Sequence, residues 1–477
     1  MSKEPVSRRN FLGKSATVAA AGATIPYIFT GQKVSADNET KSANDRLRFA
    51  LIGCGGQGNW DTARLLRWGD VVALCDVDKR RPAGTIRLFD DVKNKYKIDG
   101  KYDADIYEDY RHVLDRKDVD AVVIGTPDHW HTKPAIEALQ AGKDVYCEKP
   151  LTLTINEGKQ IRSVLEKTDR VFQVGTQQRS EGPLIADANN APTFLAAIAM
   201  IREGRLGKIK KISVAIGGAP SSPAIPAIAA PKELNWDMWL GQAPLVDFRS
   251  NAKGDQTRGH YQFRWWYEYS GGKMTDWGAH HVDIAHWALG ADDTGPVEVS
   301  GLASHPVPYK DGHSLLDDRY NAATAFHVVC KFKDGVELHI HDGNSTRKLD
   351  NGLLIEGEKG RIFVNRGRLR GKPVEDLKDN PLPEDAIFRA YNSRKLNPIS
   401  AHAYNFVESI RTRQQPISDM QSHHRAMTTC HLANIAIRLG KKIQWDPETE
   451  LCVGDDAEML NENWLKREQR SGFEINV

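Results

Sequence analysis

The segment Gly53-Cys54-Gly55-Gly56-Gln57-Gly58 decides which fold this sequence predicts. It follows the apolar run Leu47 to Ile52 and precedes a helical pattern, and Asp76 closes a second apolar run, Val71 to Cys75. Glycines at this spacing allow a tight turn and bring the backbone close to a pyrophosphate, which the N-terminus of the following helix faces. A carboxylate about 20 residues further on accepts the ribose hydroxyls of NAD. Glycine-rich turns are common by themselves, but strand, turn, helix, strand and acid together predict a dinucleotide-binding site.

The composition narrows the class of partner. The chain has 477 residues, which exceeds one typical domain and indicates two domains with short appendages. Its 65 lysines and arginines nearly balance its 63 aspartates and glutamates, so charge gives no reason to expect nucleic acid or an anionic membrane as a partner. The six cysteines show neither a CxxC pattern nor Cys/His ligand spacing, and we predict no metal site. A small molecule is therefore the expected partner.

The N-terminus has the pattern of a targeting segment. Ser7-Arg8-Arg9-Asn10-Phe11-Leu12 resembles a twin-arginine signal, and a mildly apolar stretch and the cleavage candidate Val34-Ser35-Ala36 follow it. An ordinary basic N-terminus and a membrane anchor are the alternatives, but the apolar stretch is short and rich in Ala, Gly and Thr, which argues against a stable membrane span. We predict a twin-arginine signal peptide over 1–36, a polar linker over 37–45, and export to the periplasm, or otherwise out of the cytoplasm, by the twin-arginine translocation machinery.

Residues 46–180 alternate between strand and helix patterns. Short β-branched runs at Asp120 to Ile124 and Asp144 to Cys147 are separated by a helical segment, His131 to Ala141, and another helical segment precedes Val171 to Val174. This alternation predicts an α/β Rossmann domain with a doubly wound parallel sheet. Ligands of such sheets lie beyond the carboxyl ends of the strands. Two segments are therefore expected beside the cofactor: Thr126-Pro127-Asp128-His129-Trp130-His131 and Glu148-Lys149-Pro150.

Residues 181–445 predict a second domain, of the α+β class. Its strand-like runs come without intervening helices, which favours a mainly antiparallel sheet. Helical segments at Ser400 to Arg413 and Gln421 to Leu439 are expected to return to the Rossmann half, and 446–477 to form a C-terminal tail. We also expect a homo-oligomer, which an exposed sheet face in this domain would favour. The strand-like runs are Ile209 to Ile216, Val297 to Ala303, Ala322 to Phe332, Val336 to His341, Gly352 to Glu356 and Arg361 to Val364.

The segment from Gly271 to Asp283 combines carboxylates with an imidazole. If Asp276 to Leu289 is helical, then Asp276, His280 and Asp283 share one face, because residues three and four apart are neighbours on a helix. A carboxylate one turn away can orient the imidazole. An ordinary polar helix face is the alternative, since Asp/His pairs at this spacing also occur by chance.

Three separated motifs resemble the Gfo/Idh/MocA oxidoreductase family, the glucose-fructose oxidoreductase and inositol dehydrogenase group. They are the glycine loop with Asp76, the stretch from Thr126-Pro127 to Glu148-Lys149-Pro150, and the segment from Gly271 to Asp283. The resemblance covers roughly Arg46 to Gly440. It implies an NAD(P)-binding Rossmann domain, a mainly antiparallel substrate domain, and Lys149, Asp276 and His280 as the catalytic positions. The region from Ala219 to Arg264 departs from the family pattern and leaves substrate contacts there open.

The residue types suit alcohol oxidation. His280 can take the hydroxyl proton near neutral pH, Lys149 would stabilise the developing alkoxide, and Asp276 would orient or tune the pair. His131 has two alternative roles. It contacts the substrate or the nicotinamide ribose, or it caps the start of the following helix. We include Asp283 as a substrate contact, together with Trp265 and Trp266, which either stack on a sugar ring or pack in the core.

These observations predict an exported, NAD(P)-dependent oxidoreductase acting on a hydroxyl of a sugar, polyol or glycoside. Asp76 would repel a 2′-phosphate, so we expect NAD rather than NADP, tightly bound, although the neighbouring cations Lys79, Arg80 and Arg81 could accommodate a phosphate. A redox-neutral, NAD-dependent glycosidase of the same family is the alternative within catalysis. A noncatalytic ligand-binding protein on a dehydrogenase scaffold is the alternative from another class.

Overall fold

The computed structural model describes residues 46–343, 349–392, 394, 396–397 and 400–477. The signal peptide predicted over 1–36 and the linker predicted over 37–45 lie outside these residues. No helix in the described ranges is long and apolar enough to cross a membrane.

The first domain is built on a six-stranded parallel sheet. The strand order is β3-β2-β1-β4-β5-β6, and every neighbouring pair is parallel. The middle strands are apolar runs that are buried on both faces, as expected where helices cover both sides of a sheet. The predicted Rossmann domain is thereby confirmed. Its strands are β1 (Leu47–Ile52), β2 (Gly69–Cys75), β3 (Tyr102–Tyr107), β4 (Ala121–Ile124), β5 (Asp144–Cys147) and β6 (Phe172–Val174), and its helices are α1 (Gly56–Leu65), α2 (Arg81–Tyr96), α3 (Tyr110–Leu114), α4 (Thr132–Gln140) and α5 (Ile155–Leu165).

The second domain is built on a nine-stranded mixed sheet. The order is β17-β16-β15-β9-β14-β13-β10-β18-β19, in which β9 and β14 are parallel and the other neighbours antiparallel. The mainly antiparallel sheet predicted for this domain is confirmed. Its strands are β7 (Leu184–Ile185), β8 (Ala191–Pro192), β9 (Ile209–Ala215), β10 (Glu298–Ser304), β11 (Tyr309–Lys310), β12 (His313–Ser314), β13 (Ala325–Lys331), β14 (Glu337–His341), β15 (Gly352–Gly357), β16 (Gly360–Asn365), β17 (Arg368–Arg370), β18 (Ile443–Asp446) and β19 (Leu451–Val453).

Helices cover one face of this sheet and connect it to the first domain. The longest, Met420–Leu439, packs against strand β10 and also contacts α5 and β6. The helix Ala401–Thr412 contacts α1. The helices of the second domain are α6 (Thr193–Arg202), α7 (Trp236–Leu240), α8 (Lys273–Asp276), α9 (Gly278–Leu289), α10 (Lys372–Glu375), α11 (Ala386–Ala390), α12 (Ala401–Thr412), α13 (Met420–Leu439) and α14 (Ala457–Asn463).

Residues 446–477, predicted as a C-terminal tail, extend the sheet and then contact the first domain. Strand β19 pairs with β18, which in turn pairs with β10. Further on, Arg467 pairs with the buried Glu157 and donates hydrogen bonds to the backbone oxygens of His129 and Glu268. Arg467 therefore links the segment after β19 to α5, to the loop after β4 and to Glu268 of the second domain.

The helix predicted from Asp276 to Leu289 is divided at Trp277 into α8 and α9. In a continuous helix the amide of His280 would bond to the backbone oxygen of Asp276. Here it bonds to Trp277 at 3.1 Å, and the Asp276 oxygen accepts a hydrogen bond from Lys149 Nζ at 3.0 Å. The break is thus tied to a side chain from the first domain, which a helical pattern in the sequence does not reveal.

Candidate active site

A cavity of about 950 Å³ lies beyond the carboxyl ends of the first sheet, between it and the start of α9. This is where ligands of parallel α/β sheets bind. Of the residues that the sequence singled out, those lining the cavity are Gly53, Gly55, Gly56, Gln57, Asp76, Thr126, Pro127, His131, Glu148, Lys149, Asp276 and His280.

The glycine loop fits a dinucleotide. Gly53 has φ of +93°, and a Cβ there would lie 2.6 Å from the backbone nitrogen of Thr126. A Cβ on Gly58, which does not line the cavity, would lie 2.8 Å from the oxygen of Gly53, so this glycine lets α1 pack closely on the loop. By contrast, a Cβ on Gly56 would meet nothing within 4 Å. Gly55 precedes α1 without a side-chain cap, which leaves the first-turn amides for a pyrophosphate.

Asp76 is fixed by the loop it faces. Its Oδ2 accepts a hydrogen bond from the Cys54 amide and its Oδ1 one from the Asp78 amide, both at 2.8 Å. Burial raises the pKa of Asp76 to about 6, and the two backbone bonds partly oppose that shift. The carboxylate is therefore mainly ionised at neutral pH and is held at the cavity wall as a hydrogen-bond acceptor.

Lys149 and Asp276 form an ion pair across the domains. Lys149 Nζ lies 3.1 Å from Asp276 Oδ1, and the two side chains are 11% and 13% exposed. Arg264 and Lys273 also approach the carboxylate, at 3.5 and 3.3 Å. Burial opposes ionisation of Asp276, but Lys149, Arg264 and Lys273 together hold its pKa well below the ordinary value. Asp276 is therefore a permanent anion that anchors the lysine ammonium.

His280 stands beside this pair as a neutral imidazole. It lines the cavity but is only 7% exposed, and its Nδ1 has no hydrogen-bond partner among the described residues. Burial, followed by the nearby charges of Lys149 and Arg366, lowers its pKa well below the usual 6.5. A neutral imidazole next to an ammonium can accept a proton from a hydroxyl group that the ammonium binds.

The adjacent His281 has a different environment. It is fully buried, with Nδ1 3.2 Å from Gln178 Nε2 and Nε2 2.8 Å from Asn351 Oδ1. It does not line the cavity. Of the two neighbouring histidines, His280 thus faces the cavity, while His281 is buried and bonds to Gln178 and Asn351.

His131 connects the loop after β4 to the Lys149-Pro150 turn. Its Nδ1 lies 2.6 Å from the backbone oxygen of Pro150 and its Nε2 3.0 Å from that of Thr126. Burial lowers its pKa to about 4, so the ring is neutral and donates to one of these oxygens. Its side chain makes no capping hydrogen bond to α4. The ring holds the loop after β4 against the Lys149-Pro150 turn.

Glu148 belongs to a buried acid pair at the cofactor end. Gln177 Nε2 donates to Glu148 at 2.8 Å and also lies 3.3 Å from Asp61 Oδ1. Burial raises the pKa of both carboxyl groups, and that of Asp61 is raised further by the charge of Glu148. Burial and the Glu148 charge therefore both favour the protonated form of Asp61. Asp61 was not predicted as a site residue, although it lies on α1 directly after the glycine loop.

The three residues predicted as substrate contacts do not line the cavity. Asp283 forms a buried ion pair with Arg179, with nitrogen–oxygen distances of 2.8 and 2.9 Å. Its carboxylate is therefore paired within the protein and does not line the cavity. Trp265 and Trp266 are buried in an aromatic cluster, with Trp266 under the guanidinium of Arg258. Both tryptophans therefore pack in the core, which was the alternative to stacking on a sugar ring.

The side chains in the cavity that were not predicted as site residues include Asp128, Arg264 and Arg366. Asp128 lies in the loop quoted from the sequence and accepts a hydrogen bond from Ser270 at 2.5 Å. Burial raises its pKa to about 7, against the opposing influence of Arg264. Arg264 ends the region that departs from the family pattern, and Arg366 lies between β16 and β17, where no motif marks it.

Two family models match the chain. The NAD-binding Rossmann fold of the Gfo/Idh/MocA oxidoreductase family matches residues 47–176. The C-terminal alpha/beta domain of the same oxidoreductase family matches residues 222–474, which is more than half of the chain. Together they include the glycine loop, Lys149 and the α8–α9 segment.

Individual relatives match shorter stretches. A glycosyl hydrolase family 109 protein of Shewanella sp. (strain W3-18-1) is 26% identical over 231 residues, which are 43% of this chain and 44% of the relative. An inositol 2-dehydrogenase of Salmonella paratyphi B is 31% identical over 137 residues, 28% of this chain and 38% of the relative. The chain thus spans less than half the length of these curated relatives.

Solved structures agree on the fold. The WlbA dehydrogenase from Bordetella pertussis, in complex with NADH and UDP-GlcNAcA, superimposes with a TM-score of 0.54 at 18% identity, over 84% of this chain and 99% of that one. At this identity the likeness concerns the fold alone.

Proposed function

The chain belongs to the Gfo/Idh/MocA oxidoreductase family, and from this premise we propose that it is an NAD-dependent dehydrogenase acting on a hydroxyl group of a sugar, polyol or glycoside. The observation that carries the proposal is the Lys149–Asp276 ion pair beside His280, in the same cavity as the glycine loop. Bound NAD would accept the hydride that leaves the carbinol carbon.

The side chains supply the proton chemistry. A lysine ammonium has three N–H donors, and two of those of Lys149 are used on the backbone oxygen and Oδ1 of Asp276. The third remains for the substrate oxygen, where it stabilises the negative charge that develops as the proton leaves. His280, kept neutral by burial, takes that proton. Asp276 holds the ammonium in place.

A substrate panel tests this function. Purified protein is incubated with NAD and with sugars, polyols and glycosides, and both NADH absorbance and product mass are followed. We expect NADH to appear together with a product two hydrogen atoms lighter than its substrate. The variant Lys149→Met, whose unbranched side chain is one atom shorter and carries no charge, should lose turnover. If it oxidises substrates as fast as the unmodified protein, the proposed role of the cavity is wrong.

We propose NAD rather than NADP as the cofactor. The cations near Asp76 that could accept a 2′-phosphate already have carboxylate partners: Lys79 lies 3.3 Å from Glu108, while Arg80 and Arg81 lie 2.7 and 3.9 Å from Asp78. A phosphate would have to compete with these carboxylates and with Asp76 itself. We also propose that NAD stays bound through purification. Measured dissociation constants for NADH and NADPH test the preference, and equal or tighter NADPH binding would refute it.

A redox-neutral glycosidase is the second candidate, because a family 109 glycosyl hydrolase is among the relatives. Asp128 adds to its case, since a carboxyl group with a pKa of about 7 can donate a proton to a leaving oxygen. The panel separates the two functions. A glycosidase cleaves glycosides to the free sugar with no net formation of NADH.

We also propose that the chain is exported through the twin-arginine pathway and that it forms a homo-oligomer. Export is supported by the pattern of residues 1–36 alone. Cell fractionation of the unmodified protein and of a variant with Arg8→Lys and Arg9→Lys tests it, and identical cytoplasmic retention of both would refute it. Light scattering of the purified protein tests the oligomer.

A further inference from the structure

Arg366 lines the cavity beside Trp277, at the start of α9. Its Nε donates a hydrogen bond to Gln178 Oε1 at 2.8 Å, and its guanidinium carbon lies 4.6 Å from the ring centroid of Trp277. Gln178 in turn contacts the backbone oxygen of His280 at 3.4 Å. The arginine is therefore held by the residues that flank the catalytic positions, on the α9 side of the cavity.

The outer edge of this guanidinium has no protein partner. Within the described ranges, no group accepts a hydrogen bond from its two terminal nitrogens. The Trp277 ring lies against the group, and the hydrogen bond to Gln178 holds its Nε. A guanidinium held in this way offers two parallel N–H donors, the arrangement that binds a carboxylate in bidentate fashion.

The charged side chains around Asp276 are mainly positive. Among the described residues, Asp276 is approached by Lys149, Lys273 and Arg264, and Arg366 also acts on it electrostatically. One carboxylate thus faces four cations. Asp128 compensates only partly near neutral pH, because burial raises its pKa to about 7.

The rest of the cavity is lined by the carboxylates of Asp76, Glu108, Glu148 and Glu181, of which Glu148 acts on Arg366. Glu148 acts on Lys149 and Arg366 from the cofactor side, where Gln177 and Asp61 hold it. Arg264 adds a second guanidinium, whose carbon lies 4.8 Å from the ring of Phe263 and which lines the same cavity. Filling the cavity with a neutral ligand would take water from these cations without replacing it by an anion, which is costly.

We propose that Arg366, assisted by Arg264, binds a carboxylate on the substrate, so that the enzyme acts on an acidic sugar such as a uronate or an aldonate rather than on a neutral one. The inference rests on the proposed dehydrogenase function of the same cavity and specifies its substrate class. Lys149 and His280 would engage the reacting hydroxyl group, while Arg366 binds the acidic end of the same molecule.

Matched pairs of substrates test the proposal by kcat/KM. Glucuronate is compared with glucose, and gluconate with glucitol, in the unmodified protein and in Arg366→Gln and Arg366→Lys. Charged hydrogen bonds of this kind correspond to roughly 10- to 150-fold. We expect the acids to be preferred by such a factor, Arg366→Gln to lose the preference, and Arg366→Lys to keep part of it. Arg368→Gln, which removes an exposed arginine on the same hairpin that pairs with Asp350, is the control and should keep the preference.

Several results would overturn the proposal. They are faster turnover of the neutral partner by the unmodified protein, an equal fall for acidic and neutral partners in Arg366→Gln, and Arg366-dependent turnover of sugar phosphates but not of carboxylates. If nothing in the panel is oxidised, the proposed dehydrogenase function is wrong. A binding experiment then still tests whether Arg366 forms a carboxylate site. In the presence of NADH, glucuronate should raise the melting temperature of the unmodified protein and not that of Arg366→Gln, and the absence of that difference would refute the carboxylate site.

Discussion

Lys149 Nζ donates hydrogen bonds to both the backbone oxygen and Oδ1 of Asp276, at 3.0 and 3.1 Å. The backbone oxygen is available only because the helix breaks at Trp277 and the His280 amide bonds one residue later. The same break therefore anchors the ammonium from the first domain and begins the helix that carries His280. The geometry of the proposed catalytic pair, Lys149 and His280, depends on this contact between the domains.

Removing the charge of Asp276 should damage both catalysis and stability. Asp276→Asn keeps the shape but leaves Lys149, Lys273 and Arg264 without their shared carboxylate. Breaking one partner of a largely buried ion pair is strongly destabilising, so we expect a lower melting temperature and a kcat reduced by roughly 10²-fold or more. Asp292→Asn is a matched control, since Arg179 keeps Asp283 when Asp292 is lost. Normal turnover by Asp276→Asn would show that Lys149 does not need this anchor.

The two neighbouring histidines should separate catalysis from folding. His280→Ala removes the proposed base and should lower kcat by roughly 10²- to 10⁴-fold. Its melting temperature should change little, because Nδ1 has no partner among the described residues. His281→Ala removes a fully buried ring together with its bonds to Gln178 and Asn351, so it should melt at a lower temperature and keep more activity.

Steady-state kinetics and thermal melts of both variants make the comparison. The assignment of the base fails if His281→Ala abolishes turnover in a normally folded protein while His280→Ala does not. Because the pKa of His280 is held well below 6.5, the acid limb of the kcat/KM profile that belongs to it should also lie below that pH.

Asp76 should control cofactor affinity in a pH-dependent way. Losing its charged hydrogen bonds to the ribose in Asp76→Ala should weaken NAD binding by roughly 10- to 150-fold. Because burial raises its pKa to about 6, protonation should weaken NAD binding in the unmodified protein as the pH falls through 6. Titration calorimetry between pH 5 and 8 tests this. A pH dependence that persists unchanged in Asp76→Ala would assign it to another group.

Much of the fold follows from local sequence patterns, and the exceptions have identifiable causes. Apolar runs and glycines predict β1, β2 and the loop between them because these features depend on neighbouring residues. The strand predicted from Ala322 begins only at Ala325, because the amides of Asn321 and Ala322 bond to the backbone oxygen of Trp265. That bond joins segments distant in sequence, which periodicity does not detect.

The same distinction applies to the site. The motifs around Lys149 and His280 lie at the end of a strand and in one helical segment, so the sequence indicates their place and the structure brings them together. Asp283 shares the predicted polar face of α9, but Arg179 from another segment pairs with it in the core. Arg366 comes from a hairpin that carries no motif. Such long-range side-chain pairings are decided by tertiary packing alone.

The buried carboxyl group of Asp128 predicts a pH-dependent stability. Its pKa in the folded protein, about 7, is above the ordinary 3.8, so the folded state binds the proton more tightly than the unfolded state. The stability it contributes is complete below pH 3.8 and is lost as the pH rises through 7. Asparagine keeps a similar shape without titrating. Asp128→Asn should therefore be more stable than the unmodified protein at pH 8, by roughly 2 to 4 °C in melting temperature for each kcal/mol, and this advantage should shrink steadily toward pH 4. Thermal melts of both proteins from pH 4 to 8 measure the difference, which would be independent of pH if Asp128 were ionised throughout.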